Sequence, residues 1–223
     1  MPAPYNTHTT TDELVADYDS LINGKVILIT GVSQGSLGGF FVESIAKAKP
    51  SRLILAGRNA EKLSQIEAAI TAAQPGIKVS ILQVDLGSLE SVRNAAAQVN
   101  SWNDIPAIDV LVNNAGIMGV DYKLSPDGFE SHLATNHLGP FLFTNLIMKK
   151  VLAAAEPRVV VVSSDGHRLS PIRFNDYNFD VSRSAWAKEL PLSLTERRRR
   201  ARHITGGMVI ARARQQTCYL PSL

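Results

Sequence analysis

Five short apolar runs punctuate this chain, separated by longer stretches in which apolar positions return at helical spacing. The runs are KVILIT (25–30), RLILAGR (52–58), VSILQVDL (79–86), IDVLVNNAG (108–116) and RVVVVSS (158–164). Such compact runs predict buried strands. Helices are predicted between them: FFVESIAKA (40–48), a polar-apolar stretch running to Ala73, SLESVRNAAAQV (88–99) and FESHLATNHLGPFLFTNLIMKKVL (129–152). Ahead of the first strand, Thr10–Asn23 predicts a short opening helix, with Thr10 and Glu13 spaced as a capping box.

This alternation predicts an α/β fold of the Rossmann type, a doubly wound and mainly parallel sheet covered on both faces. Right-handed crossovers bring the strand C-termini to one edge, where a ligand is expected. After Phe179 the rhythm stops, so the fold is expected to be incomplete at its C-terminus.

Composition narrows the class. With 223 residues and 45% hydrophobic content, the chain is long enough for one good core. A single cysteine, Cys218, excludes a disulfide framework and suits a reducing compartment. MPAPYNTHTTTDELV lacks a signal-peptide pattern, and no segment reaches the roughly 18 apolar residues of a membrane span. The expectation is a soluble, cytoplasmic protein.

Charge then divides the chain. Residues 1–180 hold 14 Lys+Arg against 18 Asp+Glu, whereas residues 181–223 hold 9 against 2. The basic excess centres on ERRRRARH (196–203). Clustered arginines neutralise phosphates in nucleic-acid binders, but no aromatic interleaving or binding fold accompanies these. A solvated face is the better reading, and no nucleic-acid partner is expected.

Candidate chemistry sits at the strand ends. TGVSQGSLGG (30–39) follows the first strand and opens the first helix, a setting in which glycines let backbone approach a pyrophosphate at a helix N-terminus. Arg58 ends the second strand, where an arginine pairs with a 2′-phosphate or is simply a solvated loop residue. Asp85, at the end of the third, either accepts from an adenine amino group or caps the following helix. NNAG (113–116) either cross-links strand ends beside a flat cofactor or makes a plain turn. Ser163-Ser164 ends the fifth strand, where a hydroxyl either holds a substrate carbonyl or serves a cap or turn.

TG-x₃-G, a third strand ending VDL, NNAG, an asparagine within ATNHLGPF and a strand ending SS occur here in order. In these motifs the chain resembles the short-chain dehydrogenase/reductases, particularly the retinol-dehydrogenase-like and WW-domain-oxidoreductase-like branch. DGFESHLATNHLGPFLFTNLIM looks especially like that branch, and the resemblance covers roughly residues 22–179. It implies an oxidoreductase acting on a small carbonyl or alcohol with NADP(H), and it leaves a homodimer open. Gly31, Ser33, Gly35 and Leu37 would line the cofactor phosphates and Arg58 would select NADP(H). Asp85, Asn113, Ala115 and Gly116 would hold adenosine and ribose. Asn136 resembles the helix-embedded asparagine that supports a proton-relay water, and Ser164 resembles the catalytic serine. G-S-L-G departs from the commoner G-x-G, which lengthens the turn by one residue.

The family's tyrosine four residues before a lysine is missing: Tyr177 is followed at that spacing by Val181 and Tyr219 by Leu223. Back-translated and read two bases over, VIARARQQTCYL (209–220) permits Tyr, then Cys, Arg or Ser, then Gln-Ser-Lys-Thr-Ala-Asn-Met-Leu-Phe, which contains that pair. The same frame through HITGGM (203–208) permits Tyr-Asn-Arg-Trp-Asp-Gly. Val181-Ser182 can be encoded GTAAGT, a splice-donor sequence, Leu194-Thr195 can supply a branch point, and Ala201-Arg202 can supply an acceptor CAG. From Val181 to the second base of the Arg202 codon is not a whole number of codons, so reading through would shift the frame. The expected organisation is an N-terminal extension (1–21), an NADP-binding Rossmann domain (22–180) and an aberrant basic tail (181–223). The chain as written is expected to be weakly active or inactive. The alternative is a non-catalytic NADP(H)-binding regulatory protein.

Overall fold

A computed structural model describes residues 5–164, 166 and 174–179. The basic tail, the splice-like sequences and the back-translated segment all lie outside the described residues.

The five expected strands are present as β1 (Val26–Thr30), β2 (Arg52–Gly57), β3 (Lys78–Gln83), β4 (Val110–Asn113) and β5 (Arg158–Val161). They form one sheet of order β3-β2-β1-β4-β5. The β1–β2, β2–β3 and β1–β4 ladders are parallel, with Ile29 opposite both Leu55 and Val112. Chain order reverses between β1 and β4, the switch point beside which doubly wound sheets bind ligands. β1, β2 and β4 are buried along most of their length, as their unbroken apolar character requires.

The helices are α1 (Thr11–Asp17), α2 (Asp19–Ile22), α3 (Leu37–Ala46), α4 (Ala60–Ala73), α5 (Leu89–Ser101), α6 (Ser131–Leu133) and α7 (Gly139–Leu152). The opening helix keeps its capping box, with the Glu13 N–H donating to Thr10 Oγ1 and the Thr10 N–H to Glu13 Oε2. It does not run unbroken to Asn23. Tyr18 leaves helical geometry at φ −111°, and its ring packs 6.1 Å from that of Tyr5. α3 starts three residues earlier than expected, because Ser36 supplies a cap that the apolar pattern does not mark. The long helix over 129–152 is interrupted: a π turn, Ala134–Leu138, separates α6 from α7.

The chain divides into two compact units. The first takes described residues 5–84, 97–115 and 147–160, and its core includes Leu28, Leu53, Ile54, Leu63, Ile108 and Leu111. There Lys150 Nζ donates to the carbonyls of Trp102 and Ile105, both 2.5 Å away, tying the last turn of α7 to the stretch that follows α5. Loss of water around that ammonium pushes its pKa down. The second unit takes described residues from 85–96, 116–146 and 161–179, with Phe143 fully buried. Among the described residues no helix is long and apolar enough to cross a membrane.

Candidate cofactor and catalytic site

In the first unit, β1 runs straight into Gly31, whose φ of +77° suits only glycine. A Cβ there would lie 2.6 Å from Ala115 Cα, so Gly31 and Ala115 touch backbone to backbone across the switch point. Asn114 locks this contact. Its amide nitrogen donates to Thr30 O at 2.9 Å and to Gly31 O at 3.2 Å. The backbone N–H groups of Asn114 and Ala115 both donate to the buried Thr30 hydroxyl, at 3.2 and 3.1 Å. Neighbouring Asn113 is itself buried.

The loop beyond Gly31 closes through Ser36. Its Oγ accepts from the N–H groups of Ser33 and Gly39, both at 3.1 Å, and donates to Ser33 O at 2.7 Å. Gly35 takes a φ of +71° with nothing within 4 Å of the place a Cβ would occupy. Gly38 fits flush against Gly31 O and the Asn114 amide. Leu37 is 78% exposed. The result is an open, glycine-edged loop at the N-terminus of a ten-residue helix, a place where backbone N–H groups and the helix dipole favour a phosphate. At the next strand end Arg58 is exposed and its carbonyl accepts from Gln83 Nε2 at 3.1 Å, while Asn59 caps α4.

The second unit holds Asp85, Gly116, Asn136 and Ser164. Asp85 does not cap α5. Its Oδ1 accepts from the Gly87 N–H at 2.9 Å in an Asx turn, and the Ser88 hydroxyl takes the Ser91 N–H instead. Asn136, 4% exposed in the π turn, grips one residue twice: Oδ1 accepts from Ile117 N at 2.8 Å and Nδ2 donates to Ile117 O at 3.0 Å. Gly116, just before that clamp, is exposed. The π turn runs close over the segment after β3, since a Cβ on Gly139 would collide with Leu86 O and one on Gly87 would sit 3.1 Å from Thr135 Oγ1. Ser164 is exposed and its Oγ accepts from the Gly166 N–H at 3.2 Å.

A buried carboxylate starts this helical run. Glu130 is fully buried; its oxygens accept from the His132 ring at 2.8 Å and from the backbone N–H groups of His132 and Leu133 at 2.9 and 3.0 Å. Burial works against its charge, but the hydrogen bond from the His132 ring, those N–H groups and the same ring's electrostatic attraction outweigh that penalty and hold the carboxyl below its ordinary range. Asn178 grips the preceding turn as Asn136 grips Ile117: Oδ1 accepts from Glu130 N at 2.8 Å and Nδ2 donates to Gly128 O at 3.0 Å.

Sequence reasoning missed Ser36, the Thr30 hydroxyl, Glu130 and Asn178. Only Ser36 carries a local signal, a serine three residues before a glycine at a helix start. Of the two asparagines in NNAG, Asn114 makes the bridge, beside the buried Asn113.

A family model described as short chain dehydrogenase matches residues 25–178. Oxidoreductase fscI of Fusarium equiseti is 36% identical over 188 residues, covering 82% of this chain and 72% of that protein. Retinol dehydrogenase 13 of Homo sapiens is 34% identical over 160 residues, covering 72% of this chain and 47% of that one, so the chain spans about half of this relative's length. A short chain dehydrogenase of Escherichia coli, solved in complex with NADPH, superposes with a TM-score of 0.56 at 25% identity, covering 75% of this chain and 69% of that one.

Proposed function

The chain belongs to the short-chain dehydrogenase family, in its retinol-dehydrogenase-like branch, and on that premise we propose that residues 22–180 form an NADP(H)-binding oxidoreductase domain. The observation that carries this reading is the Thr30–Asn114 lock, which holds an open glycine loop at the sheet's switch point. The loop fits a dinucleotide: bare backbone at Gly35, a glycine flush at Gly38 and a helix N-terminus directly behind. The solved relative with NADPH supports the choice of cofactor.

In this proposal Gly31, Ser33, Gly35 and Leu37 line the phosphates, and Arg58 takes the 2′-phosphate. Asp85, Asn113, Ala115 and Gly116 hold the adenosine and ribose. The bound nicotinamide supplies or accepts a hydride at the carbonyl or alcohol carbon of a small substrate. Ser164 orients the substrate oxygen, and Asn136, through its grip on Ile117, steadies the turn that supports proton relay. The proton itself has no donor in the chain as written, which lacks the Tyr-x₃-Lys pair. We attribute that gap to residues 181–223 being a read-through intron followed by the true exon out of frame. Turnover is then expected about 10²–10⁴-fold below that of a complete relative.

The missing pair also favours a second reading, a protein that binds NADP(H) without catalysis and regulates a partner. Titration with NADPH and NADH tests the shared premise. NADPH is expected to bind at least about tenfold more tightly, and Arg58→Ala to abolish that preference; equal affinities would sink the NADP(H) assignment. The nucleotide sequence over codons 178–223 tests the tail: codons unable to spell Tyr and Lys in the shifted frame refute the read-through. Protease resistance of residues 181–223 in the purified protein would favour the regulatory reading.

A further inference from the structure

Arg58 sits between two fastened stretches of backbone and belongs to neither. On one side the β2–β3 ladder ends with Gly57 opposite Gln83, and the Val84 N–H donates to Gly57 O at 2.9 Å. On the other, Asn59 Oδ1 accepts from the Lys62 N–H at 3.0 Å and caps α4. The Arg58 carbonyl is taken by a side chain of the neighbouring strand, Gln83 Nε2 at 3.1 Å. A carbonyl can only accept, so the nitrogen of that amide is the atom that faces it. Register partners share a face of the sheet, and Gly57 puts no side chain beside Gln83. The amide therefore has room to reach one residue past its partner.

Gln83 and Arg58 are both exposed, so this hydrogen bond competes with water and adds little to the stability of the fold. Its effect is on the peptide that carries the Arg58 side chain, whose rotation it limits. A loop arginine that swings freely must be ordered when a phosphate binds, and that ordering weakens affinity. An arginine on a fixed peptide has less freedom to lose, and its planar fork is already suited to a phosphate. We propose that Gln83 is a positioning residue for the selection of NADPH over NADH. By holding the Arg58 carbonyl it aims the guanidinium at the 2′-phosphate, and it does not itself touch the cofactor. The proposal rests on the reading of Arg58 as the 2′-phosphate ligand.

Titration of the purified full chain with NADPH and with NADH tests it, in the wild type, Gln83→Met, Arg58→Ala and the double variant. Methionine keeps the length of glutamine and removes the donor. Gln83→Met is expected to lower the preference for NADPH by about three- to tenfold and to leave NADH affinity unchanged. In the Arg58→Ala background the same substitution is expected to change nothing further, because Gln83 acts through Arg58. Gln83→Ala is expected to behave as Gln83→Met does, and it decides the matter should the methionine variant fail to fold. Equal affinities in the wild type overturn the 2′-phosphate reading and this proposal with it. A wild-type preference that survives loss of the Gln83 amide overturns this proposal alone. So does an equal loss of affinity for both cofactors, the mark of a merely structural role. A further loss of NADPH affinity in the double variant also overturns it, since Gln83 would then meet the phosphate directly.

Discussion

Asn114 and Asn136 each spend one side-chain amide on holding a stretch of backbone, but in opposite settings. Asn114 sits half-buried at a strand end, and its donors tie two carbonyls of the neighbouring strand's exit, Thr30 and Gly31. Asn136 is buried inside a π turn and uses both donor and acceptor on a single residue, Ile117. The first clamp reinforces a contact that packing already makes tight, since Gly31 and Ala115 meet whether or not the amide is present. The second stands in for regular structure: widening the helix into a π turn frees backbone geometry, and the amide supplies Ile117 with the pairing a strand would have given it. One clamp is therefore redundant with sterics, and the other pairs both backbone groups of Ile117.

That contrast is open to attack, beginning with the largest effect. Gly31→Ala should cost about 3 kcal/mol or more in urea unfolding, because it adds a methyl against Ala115 at a φ of +77°. Gly35→Ala, at a similar φ but in open space, should cost only about 1–2 kcal/mol. Equal losses at the two positions would show that conformation, not the contact across the switch point, dominates the first unit.

Asn136→Ala should cost about 2 kcal/mol by leaving Ile117 unpaired, and should speed hydrogen exchange at the Ile117 amide. Asn114→Ala should cost about 1 kcal/mol, with the Thr30 hydroxyl still holding the Asn114 and Ala115 N–H groups. The reverse ranking would mean that the strand-end clamp is the indispensable one.

The smallest test concerns pH and the second unit. Because the folded pKa of Glu130 is depressed, its stabilisation is fully present above the ordinary value near 4.5 and is lost as pH falls through the lower folded value. Compared with Glu130→Gln, the wild type should lead in stability at neutral pH, and the gap should shrink on acidification below about pH 4.5. Denaturation midpoints of the two proteins between pH 7 and 3 would measure it; a gap that widens in acid contradicts the assignment of an ionised, hydrogen-bonded carboxylate.

Much of the first unit was legible because its information is local. β1, β2 and β4 are close to unbroken apolar runs, and the glycine loop and NNAG sit where β1 and β4 end. The second unit was less so. FESHLATNHLGPFLFTNLIMKKVL has helical periodicity throughout, and nothing in it marks Ala134–Leu138 as a π turn. Glu130 reads as one more polar helix residue until its carboxylate is found inside, bonded to His132 and two N–H groups. Asn178, 48 residues from Glu130, has no local signal for its grip on that turn.

The sequence by itself determined the parallel α/β sheet and the place of the glycine loop, since strand periodicity and turn chemistry are short-range properties, and its ordered motifs carried the resemblance to the family. The tertiary structure decided which asparagine bridges β1 and β4, how the long helix widens at Asn136, and how Glu130 is buried and bonded. Those outcomes depend on groups distant in the chain meeting in space. A buried amide and a buried carboxylate look ordinary until their neighbours are in place.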